Sequence, residues 1–423
     1  MVTNLLPIGS LLFSAFLMLM AGGLAGYLLP LRAVAEGWST LSVSLMATSY
    51  AIGFTTGCVL TPRLVLRVGH VRVFAVLATL MSVSVLLHAL IVHPLAWIAI
   101  RAVAGFSIAG GYMVIESWLN ERVTNETRGS VFSVYMTISM LGLMMGQFAV
   151  PLGDAAGPTL FIVGALLYSL AVIPTGISSA QSPQPLSQVT LDIRKLFRNS
   201  PASVVGAVLA GAIASAWSNL GPVYSQQSGL STAEGATMLA AAMIGGAVFQ
   251  IPLGRFSDRT DRRYVMIFAG LVGLVLSLAA VLVGVDSRWA FFLTMFLLGS
   301  VLFPIYSLNV AHANDHAEPN AFVEVSSGLL IIYGFGTMIG PLVTGAAMDA
   351  FGPWALFATI ATAFGLYSAY AFYRTTKRAK PADEARSDFR AIPIGKGQTP
   401  QTVELDPRVD VTPDDVIQER PAA

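Results

Sequence analysis

Long apolar runs separated by short polar gaps dominate the chain. A helix that crosses the roughly 30 Å hydrocarbon core of a bilayer needs about 20 mostly apolar residues. Each run of that length predicts a membrane-spanning helix, because lipid offers no partner for free backbone amide and carbonyl groups. Twelve such runs occur, at residues 9–31, 42–62, 71–92, 95–119, 129–153, 158–178, 202–225, 232–253, 264–284, 288–311, 321–347 and 352–373.

The composition narrows the class of protein. Of 423 residues, 55% are hydrophobic and 11% are charged, whereas ordinary soluble domains contain about 25% charged residues. The net charge of +1 gives no basic footprint for a nucleic acid. The single cysteine, Cys58, excludes intramolecular disulfides and cysteine-based metal centres. A soluble enzyme and a nucleic-acid-binding protein are therefore excluded.

Lysine and arginine are distributed unevenly over the gaps between spans. They cluster after the even-numbered spans, at residues 63–72, 122–128, 194–198 and 255–263, whereas the other gaps contain Arg32 and Arg288. Positively charged loops stay on the cytoplasmic side of a membrane. We therefore expect a multi-pass membrane protein with both termini in the cytoplasm.

The longest internal gap divides the spans into two equal sets. Residues 179–201 are rich in Ser, Gln and Pro at their start and predict a cytoplasmic linker. Six spans precede this linker and six follow it, so we expect six-helix bundles at residues 1–178 and 202–374. Residues 375–423 have mixed charge and few aromatic residues, and we expect them to form a disordered cytoplasmic tail.

The two sets of spans share short patterns at a nearly constant offset. The sequence DAAGP at 154–158 returns as DAFGP at 349–353, and the pair Gly142 and Gly146 returns as Gly336 and Gly340. Such a repeat predicts a duplicated six-helix unit. Because each unit has an even number of spans, the two halves run parallel, and a binding cavity is expected between them.

Two further motifs carry a resemblance to a known family. Residues 254–263 read GRFSDRTDRR, which departs from the pattern Gly-x-x-x-Asp-Arg-x-Gly-Arg-Arg only at Asp261, and span 4 contains Arg101-x-x-x-Gly105. With twelve spans in two sets, these motifs resemble the major facilitator superfamily over roughly residues 9–374. Residues 116–120, ESWLN, look like those of a poorly characterised bacterial branch near the efflux transporters.

The resemblance implies the fold and the general activity. It implies an all-α integral membrane protein with twelve transmembrane helices in two pseudo-symmetric six-helix halves, which acts as a transporter and not as an enzyme. No loop of the type that cradles ATP phosphates occurs in the sequence, so we expect secondary transport without a cofactor. His312 and His316 are spaced four apart, but Pro319 follows closely and we expect no metal site.

The loop after span 8 is the candidate cytoplasmic gate. Asp258 can accept hydrogen bonds at a helix N-terminus, where the helix dipole favours negative charge, and repeat symmetry points to the start of span 5 near Gly129. Positive-inside topology alone would explain the arginines but not the aspartate. The candidate gate residues are Gly254, Arg255, Asp258, Arg259 and Arg262.

One face of span 4 is polar. Arg101, Gly105, Tyr112 and Glu116 fall within an arc of about 60° on a helix with 100° per residue, so we expect this face to line the cavity. Arg101 is then a substrate or relay charge, and Glu116 is the candidate for proton coupling. The alternatives are that Arg101 braces its helix and that Glu116 forms a structural ion pair with the basic loop after span 2, through Arg67 or Arg72.

Aromatic and amide side chains in other spans are further candidates for the substrate cavity, since such pockets combine apolar surface with a few polar groups. For each of them, an ordinary interhelical hydrogen bond is the alternative. Together with Arg101 and Tyr112 on span 4, the candidates are Gln147, Trp217, Asn219, Tyr224, Gln250, Asn309 and Tyr333.

These observations predict a secondary active transporter that moves a small organic solute, neutral or anionic, across the inner membrane by alternating access. On resemblance, efflux is favoured over uptake, and proton coupling is a hypothesis. The expected partners are the solute, the lipid bilayer and, in the coupled form, protons, with the protein acting as a monomer. The alternatives are a flippase for a lipid-like compound and a non-transporting sensor or scaffold whose tail docks a partner.

Overall fold

A computed structural model of the chain describes residues 8–177, 193–317 and 321–377, together with residues 389, 392, 395 and 397–406. Within these ranges the regular secondary structure is helical and no strand occurs. Most of the predicted linker, at 178–192, lies outside the described residues, and so does most of the predicted tail.

The first half begins with four long helices, and local chemistry starts two of them. Ser39 caps the second helix by accepting a hydrogen bond from the amide of Ser42, and Pro94 opens the fourth, where its missing N–H has no helical partner to lose. The helices of this half are α1 (Gly9–Ala35), α2 (Thr40–Val68), α3 (His70–Leu90), α4 (Pro94–Glu121), α5 (Asn125–Ala149), α6 (Thr159–Leu170) and α7 (Val172–Ile177).

The second half repeats this order after a short helix. The tenth membrane span of the chain lies in this half and is interrupted at Phe303, because Pro304 cannot donate the next backbone hydrogen bond. The helices are α8 (Ile193–Asn199), α9 (Pro201–Gln227), α10 (Thr232–Arg259), α11 (Arg262–Val283), α12 (Arg288–Leu302), α13 (Pro304–Asn314), α14 (Phe322–Phe351) and α15 (Ala355–Thr375). With α6–α7 and α12–α13 each forming one span, the predicted twelve-span fold is confirmed.

The two halves pack in the same way. In the first half α1 lies on α5, α2 on α4 and α3 on α6, and in the second half α9 lies on α14, α10 on α12 and α11 on α15. Glycines allow the equivalent pairs to approach equally closely. A Cβ on Gly146 of α5 would lie 2.0 Å from the backbone oxygen of Met20, and one on Gly336 of α14 would lie 2.0 Å from that of Val208. Small residues at these positions let the helix backbones touch.

The halves meet at one end of the bundle. We call the end that carries the loops at 63–72, 122–128 and 255–263 the arginine-rich end. At the opposite end, the carboxylate of Asp349 in α14 accepts hydrogen bonds from the backbone amides of Thr40 and Leu41, at 2.8 and 2.9 Å. These amides form the N-terminus of α2, where a negative charge is favoured. The Tyr27 hydroxyl adds a 2.6 Å hydrogen bond to the carbonyl of Thr232, so the opposite end is closed.

Part of the tail lies inside the bundle, which differs from the disorder expected for residues 375–423. We call residues 389, 392, 395 and 397–406 the inserted tail segment. It includes a short helix, α16 (Pro400–Glu404), and Leu405 is fully buried. The physical reason is that the few apolar side chains of the tail, including Phe389 and Ile392, pack against the hydrophobic core of the two halves.

We predict that Asp349→Ala weakens the closed end. Loss of a side-chain cap costs about 0.5–2 kcal/mol, which would raise the population of molecules open at that end about two- to thirtyfold. Double electron–electron resonance would report this change as a change in the distance between spin labels at the exposed Leu95 and Trp289, one on each half. The labels would be introduced in a background with Cys58 replaced by serine.

Asp154→Ala is the matched control, because Asp154 is the repeat counterpart of Asp349 but its carboxylate accepts from Ala156 in its own loop. Equal distance distributions for Asp349→Ala and Asp154→Ala would contradict the assigned role of Asp349.

Candidate functional site

A cavity between the two halves consists of two chambers that share several wall residues. The outer chamber, of about 310 Å³, is bordered by Cys58, Arg63, Tyr306 and Tyr333. The inner chamber, of about 200 Å³, is bordered by Arg101 and lies further from the arginine-rich end. Tyr50, Ser218, Asn219, Phe303, Gly395 and Gly397 border both chambers.

The inner chamber gathers five of the predicted site residues, from three helices of both halves. Arg101 is the cation of this chamber, and its guanidinium carbon lies 4.1 Å from the centre of the Tyr50 ring. This distance is typical of a cation–π contact, which partly compensates a charge removed from water. No carboxylate is found among the described residues that border either chamber. The five residues are Arg101, Tyr112, Gln147, Trp217 and Asn219.

Two polar atoms of the inner chamber have no hydrogen-bond partner within the described part of the chain. They are Oε1 of Gln147 and Nε2 of His88. His88 Nδ1 lies 2.6 Å from the carbonyl oxygen of Ser84. A carbonyl can only accept, so Nδ1 carries a proton, and in the neutral ring Nε2 is an acceptor. Both orphaned atoms are then acceptors, which a solute with N–H or O–H groups can satisfy.

His88 is a chamber residue that sequence reasoning missed. It shares one face of α3 with Met81, Ser84 and Val85, all of which border the inner chamber. Their spacing of three, four and seven residues is the helical pattern that places side chains on one face. A polar residue on that face of an otherwise apolar span was the signal that could have identified it.

The outer chamber contains a group of aromatic side chains among aliphatic and polar ones. The rings of Tyr306 and Tyr333 lie 4.6 Å apart, and Phe54 lies close to Tyr50, at 6.4 Å between ring centres. The structure thus places Tyr333 and Asn219 of the predicted set in this chamber. The aromatic rings in this wall suit a solute that has a flat or apolar part.

Three predicted residues border neither chamber. Tyr224 packs against Phe357, at 4.8 Å between ring centres. Asn309 is fully buried and donates to the carbonyl of Ile305 in its own helix, at 2.8 Å. Gln250 donates to the carbonyl of Ile392 in the inserted tail segment, at 3.1 Å.

Glu116 is fully buried, next to the cavity rather than in its wall. Its carboxylate accepts hydrogen bonds from the hydroxyls of Tyr135 and Thr402, both at 2.8 Å, and from the hydroxyl of Thr399. Arg67 and Arg72 have exposed side chains and form no ion pair with it. In this conformation Glu116 is therefore held by hydroxyl groups, two of which belong to the inserted tail segment.

The candidate gate loop contacts the tail rather than the first half. Asp258 Oδ1 accepts from Arg262 Nη1 at 3.0 Å and from the backbone amide of Phe389 at 2.8 Å. Arg262 also donates through Nε to Asp315, at 2.6 Å, while Arg255 and Arg259 are exposed. Gly254 lies under the Phe389 ring. The N-terminus of α5, the expected target of Asp258, is capped by its own residue Thr124.

Twelve membrane-spanning helices in two like halves, with a cavity between them that is closed at one end, form the architecture of a membrane transporter. The chain belongs to the Major Facilitator Superfamily, whose model matches residues 11–327 and 229–408. The resemblance seen in the sequence is thereby confirmed. As a member of this family, the protein is a transporter and not an enzyme.

Relatives and solved structures agree with this assignment. The chain is 26% identical over 366 residues to the uncharacterised MFS-type transporter YcaD of Escherichia fergusonii, covering 85% of this chain and 94% of that protein. The fold matches a mutant of the nucleoside transporter NupG with a TM-score of 0.76 and 16% identity, over 87% of this chain and 100% of the other.

A second solved structure is that of a bacterial homologue of the human lysosomal transporter Spinster, in an inward-facing and unoccupied conformation. It matches with a TM-score of 0.74 and 13% identity, over 90% of this chain and 99% of the other. At these identities the two structures show a shared fold.

Proposed function

We propose that the protein moves a small organic anion across the bacterial inner membrane by alternating access. The excess of arginine in the loops at one end supports a cytoplasmic position for that end and for both termini. The halves touch at the opposite end through Asp349 and Tyr27, which supports our proposal of an inward-facing state in this orientation. We further propose export as the direction, on the resemblance to the efflux branch.

The observation that carries the proposal is the charge balance of the cavity. Arg101 and Arg63 border the chambers, and no carboxylate among the described lining residues balances them. A charge inside a membrane protein is costly and usually has a functional partner. An anionic group of the solute would provide that partner for Arg101, while the free acceptors of Gln147 and His88 favour additional donor groups on the solute.

We predict that Arg101→Gln removes anion binding. A charge-assisted hydrogen bond contributes about 1.5–3 kcal/mol, so affinity should fall about ten- to a hundredfold. A library of organic anions, cations and neutral compounds would be screened for an increase in the melting temperature of the purified protein, because binding to the native state stabilises it. Anions should dominate the hits and lose their effect in Arg101→Gln.

Arg194→Gln is the matched control, because Arg194 lies in the short helix α8 with an exposed side chain. Hits that are mainly cations, or anions that stabilise Arg101→Gln as well as the parent protein, would overturn the proposed substrate class. Lipid-like hits would favour the flippase alternative.

We also propose that Glu116 couples transport to protons. It is the buried carboxylate of α4, one turn from Tyr112 in the wall of the inner chamber. Its described partners are hydroxyl groups, which can accept as well as donate and so suit both protonation states of a carboxyl group.

We predict that Glu116→Gln uncouples transport from the proton gradient. In proteoliposomes, an imposed pH gradient should drive net transport of an anion hit by the parent protein but not by the variant. Exchange of labelled for unlabelled solute needs no net proton movement and should be retained. Net transport by Glu116→Gln that still responds to the pH gradient would exclude this residue as the coupling site.

The closed end of the structure supports a gate at the arginine-rich end. Major facilitator halves contain nested three-helix units of inverted topology, in which the start of α2 corresponds to the start of α5, and the end of α14 to the end of α10. The contact of Asp349 with the N-terminus of α2 therefore has a counterpart, Asp258 with the N-terminus of α5. We propose that this second contact forms when the cavity closes toward the cytoplasm.

We predict that Asp258→Asn reduces the population closed at the arginine-rich end. The variant keeps an oxygen that can accept from Phe389 but loses the charge, and a charge at a helix terminus contributes about 0.3–2 kcal/mol. Distances between spin labels at the exposed Val71 and Tyr264, measured with a saturating anion hit, should show about a two- to thirtyfold smaller closed population. An unchanged distribution would contradict the gate.

A further inference from the structure

The described residues of the tail mark a path into the cavity and out again. Phe389 lies at the arginine-rich end, where its amide donates to Asp258. Ile392 follows, with its carbonyl 3.1 Å from Nε2 of Gln250. Gly395 lies between the halves, where a Cβ would be 3.1 Å from Met243 and 3.4 Å from Leu143. The first limb of this path therefore follows α10 toward the centre of the bundle.

The second limb returns along α4 and α5. Thr399 and Thr402 donate their hydroxyls to Glu116, and the carbonyl of Gln401 accepts from the side chain of Asn120 at 3.1 Å. The carbonyl of Glu404 accepts from Arg128, which brings the chain back to the arginine-rich end. The segment therefore contacts both halves, α10 in one and α4 and α5 in the other.

Two glycines between the limbs, Gly395 and Gly397, fit their surroundings closely. Gly395 has a φ of +75°, a backbone conformation that glycine adopts without steric cost. At Gly397, a Cβ would lie 2.6 Å from the ring of Phe54. Larger side chains at these two positions would be excluded while the segment is in place. The fit is that of a specific intramolecular contact rather than of a chain lying loosely on a surface.

The polar groups of the segment complement those of the cavity wall. Thr399, Gln401 and Thr402 are at most 3% exposed. The hydroxyls of Thr399 and Thr402 provide two of the hydrogen bonds that hold the buried carboxylate of Glu116. Withdrawal of the segment would remove both of these hydrogen bonds from Glu116.

We propose that the inserted tail segment is an intramolecular plug that occupies the substrate cavity in the state open toward the arginine-rich end. Gly395 and Gly397 border both chambers together with Tyr50 and Asn219, so the plug lies on the route to Arg101. It also lies between Asp258 and the first half, where it blocks the closing contact. The plug therefore inhibits transport until it withdraws, a consequence that rests on the proposed transport function.

The native cysteine allows a test of the plug that needs no substrate. Cys58 borders the outer chamber, as do Gly395 and Gly397. The rate at which Cys58 reacts with a bulky maleimide measures access past the plug. The reagent is added to full-length protein in detergent, or from the arginine-rich side to full-length protein in vesicles. The parent protein should react slowly.

Two variants remove the plug by different means, and a third variant serves as the control. Gly397→Leu introduces a clash with Phe54, and Thr399→Val with Thr402→Val removes the hydroxyls that bind Glu116. Both variants should react with the maleimide at least about tenfold faster than the parent. For the threonine variant, the loss of hydrogen bonds to a buried carboxylate shifts the docking equilibrium of the segment by this order. Thr376→Val makes the same chemical change at an exposed position after α15 and should react like the parent.

A synthetic peptide with the sequence of residues 389–406, added to the Gly397→Leu protein, should slow the reaction again, whereas the same peptide with leucine at 397 should not. Melting curves verify that each variant remains folded. Equal reaction rates for the parent and both plug variants would overturn the proposal. Failure of the native peptide to restore protection would also overturn it.

Transport measurements separate this inference from the proposed function. With an anion hit in proteoliposomes, the plug variants should transport faster than the parent. Faster maleimide reaction without transport of any hit would leave the plug standing and contradict the proposed function. Transport by the parent at the same rate as by both plug variants would contradict inhibition by the plug.

Discussion

Inside a bilayer, each polar group must find its partner within the protein, and the rest of this structure depends on that constraint. It makes the spans helical, because helices satisfy their own backbone. It places Arg101 over the ring of Tyr50 and surrounds Glu116 with hydroxyls. The same constraint gives meaning to the orphaned acceptors of Gln147 and His88. These two atoms border the inner chamber, where a solute can reach them.

The closed end shows how a repeat can be used unequally. Asp349 binds the N-terminus of α2, and repeat symmetry would have Asp154 bind the N-terminus of α10. Instead, α10 begins with its own capping box, in which Ser231 and Glu234 exchange hydrogen bonds, and Asp154 binds within its own loop. One carboxylate–helix contact therefore links the halves where two would be expected. A carboxylate–helix contact of modest strength, together with the hydrogen bond from Tyr27 to Thr232, holds this end closed.

The sequence was sufficient for the fold because the relevant signals are local. Apolar length defines the spans, and the repeated glycines define which helices approach closely. The cavity was predictable only in part. Arg101 and Tyr112 border the inner chamber, and charge and polarity mark their face of α4 in the sequence. Asn309 and Gln250 border neither chamber, and an amide that bonds within the bundle is identical, in sequence, to one that faces a solute.

The tail could not be predicted from composition for a related reason. Residues 375–423 lack the apolar content needed to form a core of their own, which is why disorder was expected. The partners of the inserted tail segment lie far away in the chain, and Thr399 and Glu116 are separated by 283 residues. A segment that cannot fold alone can still be ordered by a cavity that offers apolar walls and a buried carboxylate. The local sequence of the tail does not indicate that distant residues of the chain provide such a cavity.

The two proposals for the cavity meet at Glu116. As an ionised carboxylate, it can accept the hydroxyls of Tyr135, Thr399 and Thr402 together. Protonation replaces one accepting position by a donor and removes the charge that strengthens these hydrogen bonds. A proton taken up for coupling would therefore also loosen the hold on the tail. Coupling and release of the plug would then be one event at one residue, and transport would begin only when a proton is available to drive it.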